Sequence, residues 1–295
     1  LRYPAFASGA VTVKPGLGRV PAFNPSQPAE RGMLAQSMSV QGLIARHARD
    51  LDLAMPVLIQ PDPHDPFHVP LPWTGPPVEG PMKVGFTTET LNFPLHPEVE
   101  AALHAARDAL TDAGHVVEPV TPPALRDLAD TALRALLTEA HLMGGADMQR
   151  LGSPTFTAIM GECLGHYPPF TPEAYLQALA RRSHFARQWS LLLAEYPLVL
   201  TPFLPAPMFT AGRDAEIPEG AAEVILSGFW ATAMNFMGLP AGIVPTGLAT
   251  HQGRTSPVGV QIVGRRWRED LITGAMIAIE ERLGPMAPRL WARMG

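Results

Sequence analysis

The segments that decide the fold class of this 295-residue chain are residues 82–86 (MKVGF), 97–113 (PEVEAALHAARDALTDA) and 115–120 (HVVEPV). The first and last are short apolar runs, typical of buried strands. Between them, Pro97 suits the first position of a helix and Gly114 suits the position just after its end. The apolar residues of this segment recur at the spacing of one helix face: Val99, Leu103, Ala106 and Leu110. A strand, a helix and a strand of these lengths predict a βαβ unit, so part of the sheet is parallel.

The rest of the chain continues this alternation of elements. Strands are predicted at 10–21, where the strand enters a Pro/Gly turn, and at 197–202, 241–245 and 258–263; helices are predicted at 39–58 and 269–283, with mostly helical structure over 123–195. No internal repeat interrupts the pattern. We therefore predict a single α/β domain over 1–295, with a mixed, largely parallel sheet sandwiched between helices.

Composition and charge exclude several classes of protein. Hydrophobic residues make up 46% and charged residues 17%, which is typical of a packed domain. A net charge of −5 lacks the excess of positive charge that is typical of nucleic-acid-binding domains, so no nucleic-acid partner is predicted. The single cysteine, Cys163, allows no intrachain disulfide and fits the reducing cytoplasm, which is the predicted location.

Residues 224–253 lack Asp, Glu, Lys and Arg, which could suggest a membrane span. The stretch contains Gly238, Pro240, Gly242 and Pro245, a density of helix breakers that a spanning helix would hardly carry. A buried helix followed by a buried strand is therefore predicted, and no membrane partner.

Three groups of motifs resemble the amidase signature family. They are Leu1-Arg2-Tyr3-Pro4-Ala5 with the run 13–21 (VKPGLGRVP); Gly42-Leu43-Ile44-Ala45-Arg46 with Asp50; and the runs 235–240 (NFMGLP), 244–247 (VPTG) and 257–264 (PVGVQIVG). Leu43 stands where the family usually has proline. The order and spacing of the three groups carry the resemblance, because each alone is a short Gly/Pro string.

The resemblance implies an amide hydrolase with a Ser–cis-Ser–Lys triad, in which a serine forms an acyl-enzyme that water then hydrolyses. In the family, the nucleophile immediately precedes the Ile/Leu-Arg-x-Pro-Ala motif, and the lysine and bridging serine lie upstream. The implied nucleophile would thus precede Leu1, so no catalytic residue is assigned in this chain. We expect an incomplete amidase domain lacking its N-terminal part, and a structural role for Lys14. The helical region at about 123–195 would be the family's variable substrate-region insertion.

Arg2 and Tyr3 are the candidate substrate-binding residues, because the resemblance places them beside the nucleophile. A bidentate contact between Arg2 and a substrate carboxylate is physically reasonable. The alternative is that Arg2 pairs internally with an acidic side chain or a backbone carbonyl. Trp230 and Asn235 are expected to serve core packing and backbone capping.

Other constellations predict no cofactor and no metal site. His64, Asp65 and His68 are close in sequence, but they lie in a proline-rich loop rather than on a rigid helix or hairpin. The expected partner is a small amide, hydrolysed to an acid and ammonia or an amine. The alternative hypothesis is a non-catalytic truncated fragment or binding module on an amidase scaffold. Sheet surface left uncovered in an incomplete domain could also lead to homo-oligomers or self-association.

Overall fold

The computed structural model describes residues 1–26, 29–251 and 253–293. These residues form one seven-stranded sheet: β1 (Val11–Lys14), β2 (Ile44–Ala45), β3 (Lys83–Phe86), β4 (Val116–Pro119), β5 (Leu198–Pro202), β6 (Ala241–His251) and β7 (Arg254–Gly264). The order of the strands across the sheet is β2-β1-β6-β7-β5-β3-β4.

Eleven α-helices flank the sheet in the same described residues. They are α1 (Arg2–Ser8), α2 (Met33–Met38), α3 (Ala48–Leu58), α4 (Pro97–Asp112), α5 (Leu125–Leu151), α6 (Pro154–His166), α7 (Pro172–Glu195), α8 (Glu219–Ser227), α9 (Phe229–Met237), α10 (Glu269–Leu283) and α11 (Met286–Trp291). A short 3₁₀ turn covers Arg213–Ala215.

The predicted βαβ unit is confirmed. β3 and β4 pair in parallel, and α4 connects them. Pro97 occupies the first turn of α4, where a missing N–H costs nothing. Gly114 follows the helix end with φ of 92°, a conformation that favours glycine. The sequence signals at both ends of this helix therefore predicted its bounds.

The sheet is mixed, as predicted, but its parallel part is smaller than expected. Only β3 pairs in parallel, with β4 and β5, whereas the other pairings of described strands are antiparallel. One reason is the short connection between β6 and β7, which pair from Ala241–Val263 to His251–Arg254. Two intervening residues can join only antiparallel neighbours, since a parallel crossover needs a dozen residues or more.

Helices cover both faces of the sheet, and strand alternation divides the core between them. Leu198 and Leu200 belong to a cluster with α3, α4 and α10, whereas Val199 packs with α5, α7 and α9. Successive side chains of a strand point to opposite faces, which explains this division. The predicted sandwich of sheet between helices is thus confirmed, and so are the helices predicted within 123–195.

The helix predicted at 39–58 is wrong over its first part. Ile44 and Ala45 form β2, which pairs with β1, and the helix begins only at Ala48. Gly42 passes so close to Val13 that a Cβ there would lie 2.9 Å from the Val13 carbonyl oxygen. Apolar spacing alone did not reveal this pairing, because β2 is only two residues long.

Residues 224–251 of the uncharged stretch contain the end of α8, then α9 and β6, and the last two confirm the predicted buried helix and strand. None of the helices in the described part of the chain has the length and hydropathy needed to cross a membrane.

Candidate functional site: a cleft at the start of the chain

A cleft of about 360 Å³ opens beside the first residues of the chain. Two walls of different character line it. The polar wall consists of Arg2, Tyr3, Lys14 and Asn235, with Leu1 and Ala231 between them. The apolar wall consists of Ala35, Met38, Ser39, Val40 and Leu136. Residues from four helices, α1, α2, α5 and α9, thus meet beside the end of β1.

Arg2 is held almost completely inside the protein, with 4% of its surface exposed. Its guanidinium donates hydrogen bonds to Gln261 Oε1 at 2.5 Å, to the Ala231 carbonyl at 2.8 Å and to Asn235 Oδ1 at 2.6 Å. Burial lowers the pKa of Arg2 to about 9, so the guanidinium still carries its charge at neutral pH. These contacts support the internal alternative, in the form of a backbone carbonyl and two amide side chains.

The partner of Arg2 in β7 was missed by sequence reasoning. Gln261 is fully buried, and its amide nitrogen donates to Thr201 Oγ1 in the neighbouring strand β5 at 3.1 Å. The Thr201 hydroxyl donates in turn to the Pro202 carbonyl. The available signal was a lone glutamine within the otherwise apolar run Val258–Val263, since a buried polar side chain needs partners.

Asn235 lies one helical turn after Ala231 on α9, so both face Arg2. The Asn235 side chain accepts a hydrogen bond from Arg2 rather than capping the backbone, contrary to the sequence expectation. Trp230 is fully buried and donates to the Glu89 carbonyl at 3.0 Å, which confirms its predicted packing role.

Tyr3, the second predicted substrate-binding residue, also lines the cleft. Its ring packs edge-on against Phe203 with ring centroids 5.0 Å apart. Burial raises the pKa of Tyr3 to about 12, so its hydroxyl keeps its proton at neutral pH. The structure therefore brings Arg2 and Tyr3 into one cleft, whereas their contact with a substrate stays a prediction.

Lys14 ends β1 on the polar wall and is 4% exposed. Its ammonium donates to the Pro15 carbonyl at 2.7 Å. Burial lowers its pKa well below the ordinary 10.5, and the nearby positive charge of Arg2 lowers it further. Among the described residues, its single hydrogen bond is thus to the main chain of the next residue, and the structural role expected for Lys14 stays a prediction.

The turn after β1 is fixed by a buried ion pair. Arg19 Nε lies 3.3 Å from Glu269 Oε2, and both side chains are completely buried. Glu269 Oε1 also accepts the Gly16 N–H at 2.9 Å. Arg19 donates further hydrogen bonds to the carbonyls of Leu71, Pro72 and Trp73. These contacts set the path of the chain that leaves Lys14.

The histidine-rich loop lies apart from the cleft. His64 Nδ1 is 2.8 Å from Asp62 Oδ1, and both side chains are largely exposed. Within residues 1–26, 29–251 and 253–293, no group of three or more His, Cys, Asp or Glu side chains could hold a metal ion.

Comparison with known proteins identifies the fold. The family model described as Amidase matches residues 1–273. The chain belongs to the amidase family. The match covers all three groups of motifs, which lie on α1 and β1, on β2 and α3, and on α9 with the β6–β7 pair.

Two curated relatives show how the amidase chain compares in sequence. It is 39% identical to an indoleacetamide hydrolase of Bradyrhizobium diazoefficiens, over all of this chain and 56% of the relative. It is 29% identical to a glutamyl-tRNA(Gln) amidotransferase subunit of Deinococcus radiodurans, over 95% of this chain and 61% of the relative. The chain thus spans less than two thirds of the length of these relatives.

A solved structure of 6-aminohexanoate cyclic dimer hydrolase in complex with its substrate superposes with a TM-score of 0.73 at 25% identity. The superposition covers 97% of this chain and 63% of the hydrolase. The α/β fold with a mixed sheet is therefore that of the amidase signature enzymes.

Proposed function

We propose that this chain forms the substrate-binding part of a serine-dependent amide hydrolase. In the longer protein, a serine Oγ would attack the carboxylic amide, and the C–N bond would break as an acyl ester forms on the serine. Ammonia or an amine leaves with a proton, and water then hydrolyses the ester to the acid.

One observation carries this proposal. The cleft and its polar wall begin at Leu1 and Arg2, and the family motif puts the nucleophilic serine directly before this position. A serine bonded to Leu1 would lie at the edge of the cleft, because adjacent Cα atoms are about 3.8 Å apart.

For the substrate, we propose a small amide with an apolar or aromatic acyl group. Ala35, Met38, Val40 and Leu136 offer an apolar surface opposite the polar wall. The volume of about 360 Å³ suits a ligand of this size. The 39% identical relative carries the name of an indoleacetamide hydrolase, which supports an arylacetamide.

Arg2 and Tyr3 are proposed to contact this substrate at its amide end. Arg2 brings a buried positive charge to the cleft with no acidic side chain among its hydrogen-bond partners named above. The neutral hydroxyl of Tyr3 can donate or accept a hydrogen bond.

We place the activity in the cytoplasm on the basis of the single cysteine. A homo-oligomer or self-association through exposed sheet surface stays a prediction, which size-exclusion chromatography tests.

The test uses the complete protein that contains this chain, with indole-3-acetamide as substrate and a fluorophosphonate as serine-directed label. We expect release of indole-3-acetic acid and labelling of the residue before Leu1. The matched control is the variant in which that residue is alanine, which should lose both signals.

A complete protein with serine at that position that neither hydrolyses small amides nor takes up the label would contradict the proposal. That result would favour the alternative, a binding module on an amidase scaffold. Hydrolysis of a different small amide, with normal labelling, would replace the arylacetamide and leave the reaction class intact.

A further inference from the structure

The apolar wall of the cleft depends on a helix that cannot hold its own position. α2 has only six residues, and Gly32 at its N-cap offers no side chain to its free N–H groups. Isolated helices of this length are unstable in water, so tertiary contacts must fix α2. Leu34 and Met38 pack into the core, which fixes one side of the helix.

The N–H groups of α2 are bound by a side chain from another helix. Glu139 of α5 accepts the Leu34 N–H on Oε2 at 2.9 Å and the Ala35 N–H on Oε1 at 2.7 Å. Only 7% of Glu139 is exposed. A carboxylate in this position supplies the missing N-cap and complements the positive end of the helix.

A second helix of the variable region holds the carboxylate in place. Tyr175 of α7 donates its hydroxyl proton to Glu139 Oε2 at 2.6 Å. Burial, together with this hydrogen bond to a carboxylate, raises the pKa of Tyr175, so the hydroxyl keeps its proton throughout the neutral range. Gly32 makes room for the arrangement, because a Cβ there would overlap the carboxyl carbon of Glu139.

These contacts lead directly to the cleft. Ala35, whose N–H Glu139 binds, lines the apolar wall, and Met38 follows one turn later on the same helix. Leu136 lines the cleft from α5, one helical turn before Glu139. The helical region 123–195 thus reaches the cleft twice, once by direct contact and once through the backbone of α2.

We propose that Glu139 is a positioning residue that, together with Tyr175, sets the place of α2 and so the size of the acyl group that the cleft accepts. The expected changes in KM and kcat rest on the proposed amide hydrolysis, whereas the placement of α2 by Glu139 does not. Glu139 does not line the cleft and acts through Ala35 and Met38. Its variants should therefore change substrate affinity and size discrimination rather than the chemical step.

The test compares Glu139→Gln and Tyr175→Phe with the wild type in the complete protein. Gln keeps the shape of the side chain but can accept through only one of its two end atoms. We expect KM for indole-3-acetamide to rise about tenfold in Glu139→Gln, the factor of one lost hydrogen bond. We expect kcat to change by less than about twofold. We expect KM for the smaller amide propionamide to rise by less than KM for indole-3-acetamide.

The matched control is Glu280→Gln. Glu280 of α10 accepts the Ala48 N–H at the start of α3, at 2.7 Å, so it performs the same capping away from the cleft. Its replacement should leave both KM values unchanged. Hydrogen–deuterium exchange supplies a readout without turnover: amides of residues 33–38 should exchange faster in Glu139→Gln, and those at the start of α3 in Glu280→Gln.

Unchanged exchange at 33–38 in Glu139→Gln would overturn the inference. Faster exchange together with an unchanged KM would also overturn it. So would a KM that rises equally for indole-3-acetamide and propionamide, because Glu139 would then only stabilise the fold. If the complete protein hydrolyses no amide, calorimetric binding of indole-3-acetamide decides. About tenfold weaker binding by Glu139→Gln supports the inference, and equal binding, or none by the wild type, refutes it.

Discussion

The two walls of the cleft are built on different physical principles. Arg2 and Lys14 on the polar wall are buried basic side chains, which donate hydrogen bonds to Gln261 of β7 and to backbone carbonyls. The apolar wall rests on a six-residue helix that Glu139 attaches to α5. The polar wall is thus held by buried hydrogen bonds, whereas the apolar wall depends on a short helix that is held by the core packing of Leu34 and Met38 and by its hydrogen bonds to Glu139.

This difference indicates a division of tasks. A buried charge network has a single well-defined arrangement, because every displaced group would lose partners that water cannot replace. A short helix that is held by two buried side chains and one carboxylate can shift by small amounts at lower cost. We infer that the polar wall keeps one arrangement, whereas the place of the apolar wall depends on the contacts of α2 with Glu139.

The largest expected effect concerns the support of the polar wall. Arg19→Met leaves the fully buried Glu269 carboxylate without its ion-pair partner. We expect the free energy of unfolding to fall by about 3–5 kcal/mol, as for other broken buried pairs. Urea denaturation measures the change.

The matched control for that variant is Arg181→Met on the helical side, whose ion pair with Asp127 joins α7 to α5 and is about half exposed. Its loss should cost less than about 1 kcal/mol, since water screens exposed pairs. Equal losses in the two variants would show that burial adds nothing to the contribution of the Arg19–Glu269 pair.

A smaller effect is expected where α2 approaches α5. Gly32→Ala places a Cβ on the carboxyl carbon of Glu139, so either the helix or the carboxylate must move. We expect the free energy of unfolding to fall by about 1–3 kcal/mol, the usual cost of overpacking. Thermal and urea unfolding of the purified variant give the value.

Gly161→Ala is the matched control, for which we expect the free energy of unfolding to rise instead of fall. Gly161 lies inside α6, and a Cβ there meets nothing within 4 Å. Alanine should stabilise this helix by about 0.5–1 kcal/mol. A stabilising Gly32→Ala would show that the contact between α2 and Glu139 is loose.

The smallest effect, when it is counted per pH unit, is the pH dependence that Lys14 adds to stability. The pKa of Lys14 is lowered in the folded protein, so the unfolded chain binds this proton more tightly. Stability therefore rises with pH between the lowered pKa and the ordinary 10.5. Lys14→Met lacks this contribution. As the pH rises, the free energy of unfolding of the wild type should therefore increase relative to that of Lys14→Met, by less than about 1.4 kcal/mol per pH unit.

Urea titrations of both proteins between about pH 7 and pH 10 measure the difference in slope. Lys83→Met is the matched control, because it replaces a lysine whose side chain is half exposed. Parallel stability curves for the wild type and Lys14→Met would mean that water reaches the Lys14 ammonium.

The sequence by itself determined the α/β class, the βαβ unit and the family. Pro97, Gly114 and the apolar periodicity between them act locally, so their effect could be predicted without knowing the rest of the chain. The motifs around Arg2 and the Gly-Leu-Pro turn at 238–240 identified the amidase family, which the match over 1–273 confirms.

Only the tertiary structure decided which residues form the cleft. Gln261 lies 259 positions from Arg2, and Glu139 lies 105 positions from Leu34, so no local pattern connects them. The same reason explains the error at 39–58, where pairing of β2 with β1 overrode a helical pattern. Periodicity reports which side of an element is buried, whereas the partners of a buried polar group depend on how distant segments meet in the folded protein.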